Sequence, residues 1–284
     1  MNIGKIKEKF GFLFLKLCAA TVISALVFIL YDIVSKGWVK ISWNFLTSMP
    51  SQGMTEGGIL PAIVGTFFVT AITAVLAVPL GMGCAVYLNE YAGDTKITRL
   101  IRMSIRNLSG VPSIVYGLFG VVVFVNMAKF GTSILSSGLT LGLMTLPWTI
   151  TASEEALKNV PQSYRDGSLA LGATKWKAIR TNVLPYAVPG MLTGTILGLA
   201  RAAGETAPIL FTGAAFFLPF LPKSLSDQFM ALPYHLYIMA TQHHDVAKVR
   251  PIAYGTALVL IALITLMNLF AVVLRYHMRK IKKE

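Results

Sequence analysis

The stretch Asp166-Gly167-Ser168-Leu169-Ala170-Leu171-Gly172-Ala173-Thr174-Lys175-Trp176-Lys177 opens the segment that decides the fold. It is polar and basic. It leads through Leu184-Pro185 into an apolar run that carries Arg201-Ala202-Ala203-Gly204-Glu205-Thr206-Ala207-Pro208 at its middle. A basic segment joined directly to a charge inside an apolar helix describes a device with a docking end and a solute-handling end.

The composition places that device in a membrane. Of the 284 residues, 55% are hydrophobic and 13% are charged, about half the charged share of a soluble domain. The net charge of +13 does not point to nucleic acid, because the basic residues sit in short loops between apolar runs, as membrane topology requires. Cys18 and Cys84 lie in apolar runs and have neither disulfide-framework nor metal-ligand spacing. The basic N-terminus precedes an apolar run that continues to Val34 without a small-x-small cleavage site, so it reads as an uncleaved first span.

Six stretches reach the roughly 20 apolar residues needed to cross the hydrocarbon: Phe12 to Val34, Ile59 to Leu88, Ser104 to Met127, Gly138 to Ala156, Val188 to Gly213 and Ile252 to Leu274. With a cytosolic N-terminus, basic residues flanking the spans fall on the cytosolic side about three to one, which sets both termini in the cytosol. The chain thus divides into residues 1–58 (tail, first span and outer loop), a permease core over 59–274 with a coupling helix at about 159–182, and a basic cytosolic tail over 275–284.

Two outer segments exceed simple turns. Lys36 to Gly58 carries Trp38 and Trp43, suited to the headgroup level. Phe216 to Arg250 reads as a solvated loop over the outer mouth; its His243-His244 pair lacks a third ligand at useful spacing. In the third span, Pro112 is expected to kink the helix, and Gly110, Gly117 and Gly120 permit close helix approach.

In the cytosolic segment, Leu169, Ala173, Trp176 and Ile179 fall at helical spacing with Lys175, Lys177 and Arg180 off that face, so the pattern predicts an amphipathic helix bent near Gly172. Such a helix suits either the inner leaflet or a groove on a partner protein. The pattern Asp166-Gly167-Ser168, then Gly172, then Leu184-Pro185 resembles the EAA loop of permease subunits in ATP-binding-cassette (ABC) importers: Glu-Ala-Ala, three residues, Gly, nine residues, Ile, one residue, Leu-Pro. Asp166 stands at the Glu position, Gly167 and Ser168 at the Ala positions, and Asn182 at the Ile position. The resemblance implies that Asp166, Gly167, Ser168, Gly172, Ala173, Lys175, Trp176, Leu184 and Pro185 dock on an ATP-binding subunit.

Arg201 lies about twelve residues past Pro189, roughly 18 Å along a helix. That depth is near the bilayer middle, where an Arg costs about 2.5–3.5 kcal/mol and is expected to face the bundle interior. Glu205 at i+4 shares its face, but Arg before Glu is the poorer order for helix stabilisation. Two roles suit the pair: an ionic lock between helices, or a pathway charge whose planar donors match a tetrahedral oxyanion.

Arg201-Ala202-Ala203-Gly204-Glu205-Thr206-Ala207-Pro208, taken with Gly110-Val111-Pro112-Ser113-Ile114-Val115-Tyr116-Gly117-Leu118-Phe119-Gly120, resembles PstA-type permease subunits of phosphate importers over about Ile59 to Leu274. The resemblance implies an all-α, six-span, type I ABC importer permease of MetI-like fold in the cytoplasmic membrane. It implies Arg201, Glu205 and Thr206 as pathway or gating residues. It also implies four partner subunits: a PstC-like second permease, two PstB-like ATP-binding subunits and a PstS-like extracytoplasmic phosphate-binding protein. The chain has no Gly-x-x-x-x-Gly-Lys-Ser/Thr loop, so no cofactor is expected on it, and ATP is consumed by the partners. Another oxyanion, such as sulfate or molybdate, and a proton-coupled transporter using Glu205 are the rival readings. A membrane enzyme is disfavoured, because no His, Cys or paired carboxylates cluster at a usable depth.

Overall fold

The computed structural model describes residues 3–280, so Lys282 and Lys283 of the expected basic tail lie outside the described residues. The chain is almost entirely helical. In order, the helices are α1 (Ile3–Gly37), α2 (Trp43–Thr47), α3 (Leu60–Val86), α4 (Lys96–Leu108), α5 (Ser113–Gly120), α6 (Ile134–Lys158), α7 (Ser163–Ala170), α8 (Lys175–Ala178), α9 (Leu184–Ala203), α10 (Ala207–Thr212), α11 (Leu232–Thr241) and α12 (Val246–Lys280). Three π-helical turns extend or join them: Tyr87–Tyr91 after α3, Val121–Met127 after α5 and Ile179–Val183 between α8 and α9.

The helix boundaries follow from cap chemistry. Ser42, Thr95, Ser133 and Thr174 each accept a hydrogen bond from a first-turn amide, starting α2, α4, α6 and α8. Pro61, Pro208 and Pro233 stand in the first turns of α3, α10 and α11, where a missing N–H costs nothing. Inside the apolar helices, Thr66, Thr73, Thr140, Thr145 and Thr195 return their hydroxyls to carbonyls four residues back, leaving those polar groups satisfied without water.

Among the described residues, five helices are long and apolar enough to span a membrane, or six if the bent pair Lys96–Leu108 and Ser113–Met127 counts as one span. α3, α6 and α9 pack together as the centre of the bundle. One hydrophobic cluster, with Leu88, Leu157, Val183 and Met191, fills the end near the expected cytosolic loops. A second, with Phe45, Met54, Ile59, Leu232, Ile238 and Met239, fills the opposite end. The apolar window of α1 is wholly exposed, and its contact with the bundle is near Gly37 and Tyr254 of α12.

Four expectations change. The third span is not continuous from Ser104: the chain bends by 100° between α4 and α5, so Ser104 to Leu108 belong to a separate amphipathic helix. Pro112 at the cap of α5 and Gly110 in the connecting turn account for the break. The fifth span does not run to Gly213. α9 stops at Ala203 with Gly204 as its cap, and α10 starts at Ala207 with Pro208 in its first turn. The cytosolic helix does break near Gly172, whose φ is +80°. Beyond the break, however, Lys175 to Ala203 form one continuous helical rod, and Leu184-Pro185 mark no boundary in it. Finally, Phe216 to Arg250 is a solvated loop only in its first part: residues 216–228 are irregular and mostly exposed, whereas Phe229 and Met230 pack inward and α11 buries Leu232, His235, Ile238 and Met239.

Candidate functional site

Two sites take shape at different levels of the bundle. The first is a cavity of about 240 Å³ where α4, α5, α6 and α9 converge. Its wall is the turn Leu108-Ser109-Gly110-Val111-Pro112-Ser113, with Tyr116, Met144, Thr145, Trp148, Gly198 and Arg201 around it. Tyr116 Oη donates to the Leu108 carbonyl at 2.9 Å and pins that turn. Trp148 Nε1 donates to the Gly194 carbonyl at 3.3 Å and holds the α6 side against α9. α5 begins at this cavity with Pro112 as its cap and without a side-chain acceptor for its first amides. The positive end of its dipole and Arg201 thus line the same cavity, and both favour an anion.

Arg201 does not face the interior of this chain, as its expected mid-bilayer position required. It occupies the last turn of α9, two residues before the helix ends, with its side chain 66% exposed. Its Nε stands 3.6 Å from Glu205 Oε1, a contact with room to open. Thr206 lies in the break before α10 and does not line the cavity. The two quoted motifs nevertheless meet. A Cβ on Gly117 would lie 3.0 Å from Pro208 Cα, so α5 packs directly on the start of α10. Gly120 packs likewise on Thr140, whereas Gly110 serves the turn and no helix crossing.

The second site is the cytosol-directed segment of α7, α8 and the turn Ile179–Val183. Asp166 is exposed in the first turn of α7 and accepts from Gln162 Nε2 at 3.1 Å. Gly167, Lys175, Trp176 and Pro185 are exposed, and Ala173 and Leu184 are half-buried. Leu169 and Trp176 of the expected apolar face point outward, together with Leu171, while Ile179 is buried in the chain's own core. Ser168 is buried and donates to the Tyr164 carbonyl at 3.0 Å. Asn182 Nδ2 donates to Ser168 Oγ. Two of the positions that depart from the EAA pattern, Ser168 and Asn182, thus satisfy each other where that pattern has Ala and Ile.

The sequence reading missed the charges that anchor this segment. Arg165 donates to both carboxylate oxygens of Glu90, at 2.6 and 3.1 Å. Arg102 donates to Glu154 at 2.8 Å. Their signal was present but faint: Glu90 and Glu154 are acids at the ends of long apolar runs, where an unpaired charge is costly. Among the described residues, no group of three or more His, Cys, Asp or Glu side chains is placed to hold a metal ion.

Spanning helices, a polar cavity at helix ends and a protruding loop define a multi-pass membrane permease subunit. The chain belongs to the family of binding-protein-dependent transport system inner membrane components, which residues 77–280 match. It is 37% identical to the probable ABC transporter permease protein YqgI of Bacillus subtilis, over 73% of this chain and 71% of that one. It is 34% identical to the phosphate transport system permease protein PstA 1 of Mycobacterium tuberculosis, over 88% and 83%. A probable phosphate transport permease PstA of Methanocaldococcus jannaschii is 32% identical over 92% and 90%. The resemblance to PstA-type permeases is borne out. Among solved structures, a chain of the inward-facing MetNI methionine ABC transporter covers 80% of this chain with 99% of its own length, at TM-score 0.63 and 16% identity. A chain of a bacterial alginate ABC importer covers 95% with 96%, at TM-score 0.65 and 14% identity. At these identities the likeness concerns the fold, and it bears out the MetI-like importer architecture.

Proposed function

We propose that the chain is the PstA-like permease subunit of an ATP-driven importer that carries inorganic phosphate across the cytoplasmic membrane, with both termini cytosolic. The observation that carries this reading is the convergence of Arg201 and the uncapped start of α5 on one cavity. A guanidinium and a helix N-terminus together favour a tetrahedral oxyanion without any cofactor. The phosphate permeases among the relatives supply the substrate.

On this reading residues 59–274 are the permease core, and residues 159–182 carry the coupling helix. Asp166 to Pro185 receive the stroke of a PstB-like ATP-binding subunit. The exposed Leu169, Leu171 and Trp176 are the apolar contacts such a partner covers. A second, PstC-like permease and a PstS-like binding protein complete the complex, and lipid surrounds the exposed apolar face of α1. The subunit performs no covalent chemistry and binds no cofactor; ATP is hydrolysed by its partners.

Radiolabelled phosphate uptake in cells lacking the chain tests the reading. Uptake returns with the gene, resists excess sulfate and stops when the ATP-binding partner is inactivated. Competition by sulfate or molybdate would reassign the oxyanion. Uptake that survives loss of the ATP-binding partner and follows the pH gradient would make Glu205 a proton carrier and end the importer reading.

A further inference from the structure

The π turn Tyr87–Tyr91 at the end of α3 is gripped from two directions. From the coupling segment, Arg165 forms the two-pronged contact with Glu90 and also donates to the Val160 and Leu157 carbonyls, at 3.0 and 3.2 Å. Leu157 is in the last turn of α6 and Val160 lies two residues beyond its end, so one guanidinium ties the ends of α3 and α6 to α7. Lys175 of α8 adds its ammonium over the Tyr91 ring, 5.0 Å from the centroid.

From the other side comes Arg102 of α4. The widened turn sends the Ala92 amide to the Tyr87 carbonyl, and the Leu88 carbonyl is taken instead by Arg102 Nη2 at 2.8 Å. The same guanidinium holds Glu154 of α6. Two turns further along α4 stands Leu108, whose carbonyl Tyr116 pins and whose side of the turn walls the Arg201 cavity. A rigid helix therefore runs from the π turn to the anion cavity, and a buried ion pair runs from the π turn to the coupling segment. π turns are single-residue distortions of a helix that recur at functional positions.

We propose that the π turn Tyr87–Tyr91 is the relay between the coupling segment and the anion cavity, with Arg165 and Arg102 as positioning residues on its two sides. The proposal rests on the reading that α7 and α8 receive the stroke of an ATP-binding subunit. A displacement of that segment pulls Glu90 through Arg165. The π turn moves the Leu88 carbonyl, Arg102 follows, and α4 shifts the Leu108–Ser113 wall relative to Arg201. A directional pair of hydrogen-bonded charges transmits such a displacement where an apolar contact would slide.

The test is the ratio of phosphate taken up to ATP hydrolysed, measured with the complete complex in proteoliposomes. Wild-type uptake that ignores ATP would defeat the underlying reading, whatever the variants do. Given ATP-driven wild-type uptake, Glu90→Gln lowers the ratio at least tenfold in the assembled complex, and so does Arg102→Gln. The charge exchange Glu90→Arg with Arg165→Glu recovers a substantial part of it. Ratios within twofold of wild type for both single variants overturn the relay. So does failure of Glu90→Gln to assemble, because the pair is then a fold contact only.

Discussion

The chain uses one chemical pair, an arginine with a carboxylate, at both of its working levels, and builds it in opposite ways. At the coupling end, Arg165 meets Glu90 at 2.6 Å with side chains 15% and 5% exposed, and it also donates to the Leu157 and Val160 carbonyls at the end of α6 and just beyond it. At the cavity, Arg201 meets Glu205 at 3.6 Å with side chains 66% and 18% exposed. Among the described residues, Glu205 is its one ion-pair partner. A guanidinium with four of its five donors engaged in a buried site cannot release its carboxylate without leaving a charge stranded. One with spare donors at a cavity mouth can exchange a loose carboxylate for a passing oxyanion at little cost. The first construction suits transmission of force and the second suits transient binding. The difference lies in burial and saturation of donors, since the residue types are the same.

The largest effect expected from this contrast is at Arg165. Arg165→Ala leaves the Glu90 carboxylate buried with only Asn89 as donor, at 2.8 Å. Breaking such a pair costs about 3–5 kcal/mol, a large part of the stability of most domains. The variant is expected to melt well below wild type in detergent. A wild-type melting curve would show that the pair is not the anchor its geometry suggests. Arg201→Gln is expected to behave in the opposite manner. It removes an exposed side chain, so stability stays within about 0.5 kcal/mol. The subunit assembles, and phosphate uptake falls to background. Normal uptake by this variant would remove Arg201 from the pathway.

How much of this was legible in the sequence depends on the range of the forces involved. The spans were legible because about 20 apolar residues in a row have one stable place, and the break at Gly172 because an αL residue is locally encoded. The bend between α4 and α5 was only half legible. Pro112 announced a kink, but the amphipathic Lys96–Leu108 merged by composition into the run that follows it. The end of α9 was not legible, because the apolar run continues past Ala203 while the helix does not, and Arg201 stands two residues before that end. The meeting of Arg201 with the Ser109–Ser113 turn, and of Glu90 with Arg165, joins residues about 90 and 75 positions apart. Such pairings are decided by helix packing, which no local pattern encodes.

The coupling end offers a finer test at Ser168 and Asn182. Ser168→Ala strips Asn182 of its acceptor in a half-buried site and is expected to cost about 1–2 kcal/mol, with a matching loss of ATP-driven uptake. Adding Asn182→Ile replaces both polar partners with an apolar pair and recovers most of that loss, because removing both ends of a buried hydrogen bond is nearly neutral. A double variant as impaired as the single one would mean that Asn182 acts on something other than Ser168.

The smallest effect is expected at a third pair, which isolates burial from distance. Arg99 donates to both oxygens of Asp94 at 2.7 and 2.8 Å, a geometry as close as that of Arg165 with Glu90, yet both side chains are about two-thirds exposed. The hydrogen bonds from Arg99 hold the Asp94 carboxyl below its ordinary range. Any stability this gives is therefore full above the unfolded carboxyl's pKa and lost as pH falls through the lower folded one. At neutral pH the carboxylate is charged with or without its partner, and water and salt screen the pair. Arg99→Ala is expected to leave the melting temperature, the phosphate uptake and the uptake per ATP indistinguishable from wild type. If it instead loses stability on the scale of Arg165→Ala, short contact distance and not desolvation would be what gives these pairs their strength. The division between a transmitting pair and an exchanging pair would then have to be drawn on geometry alone.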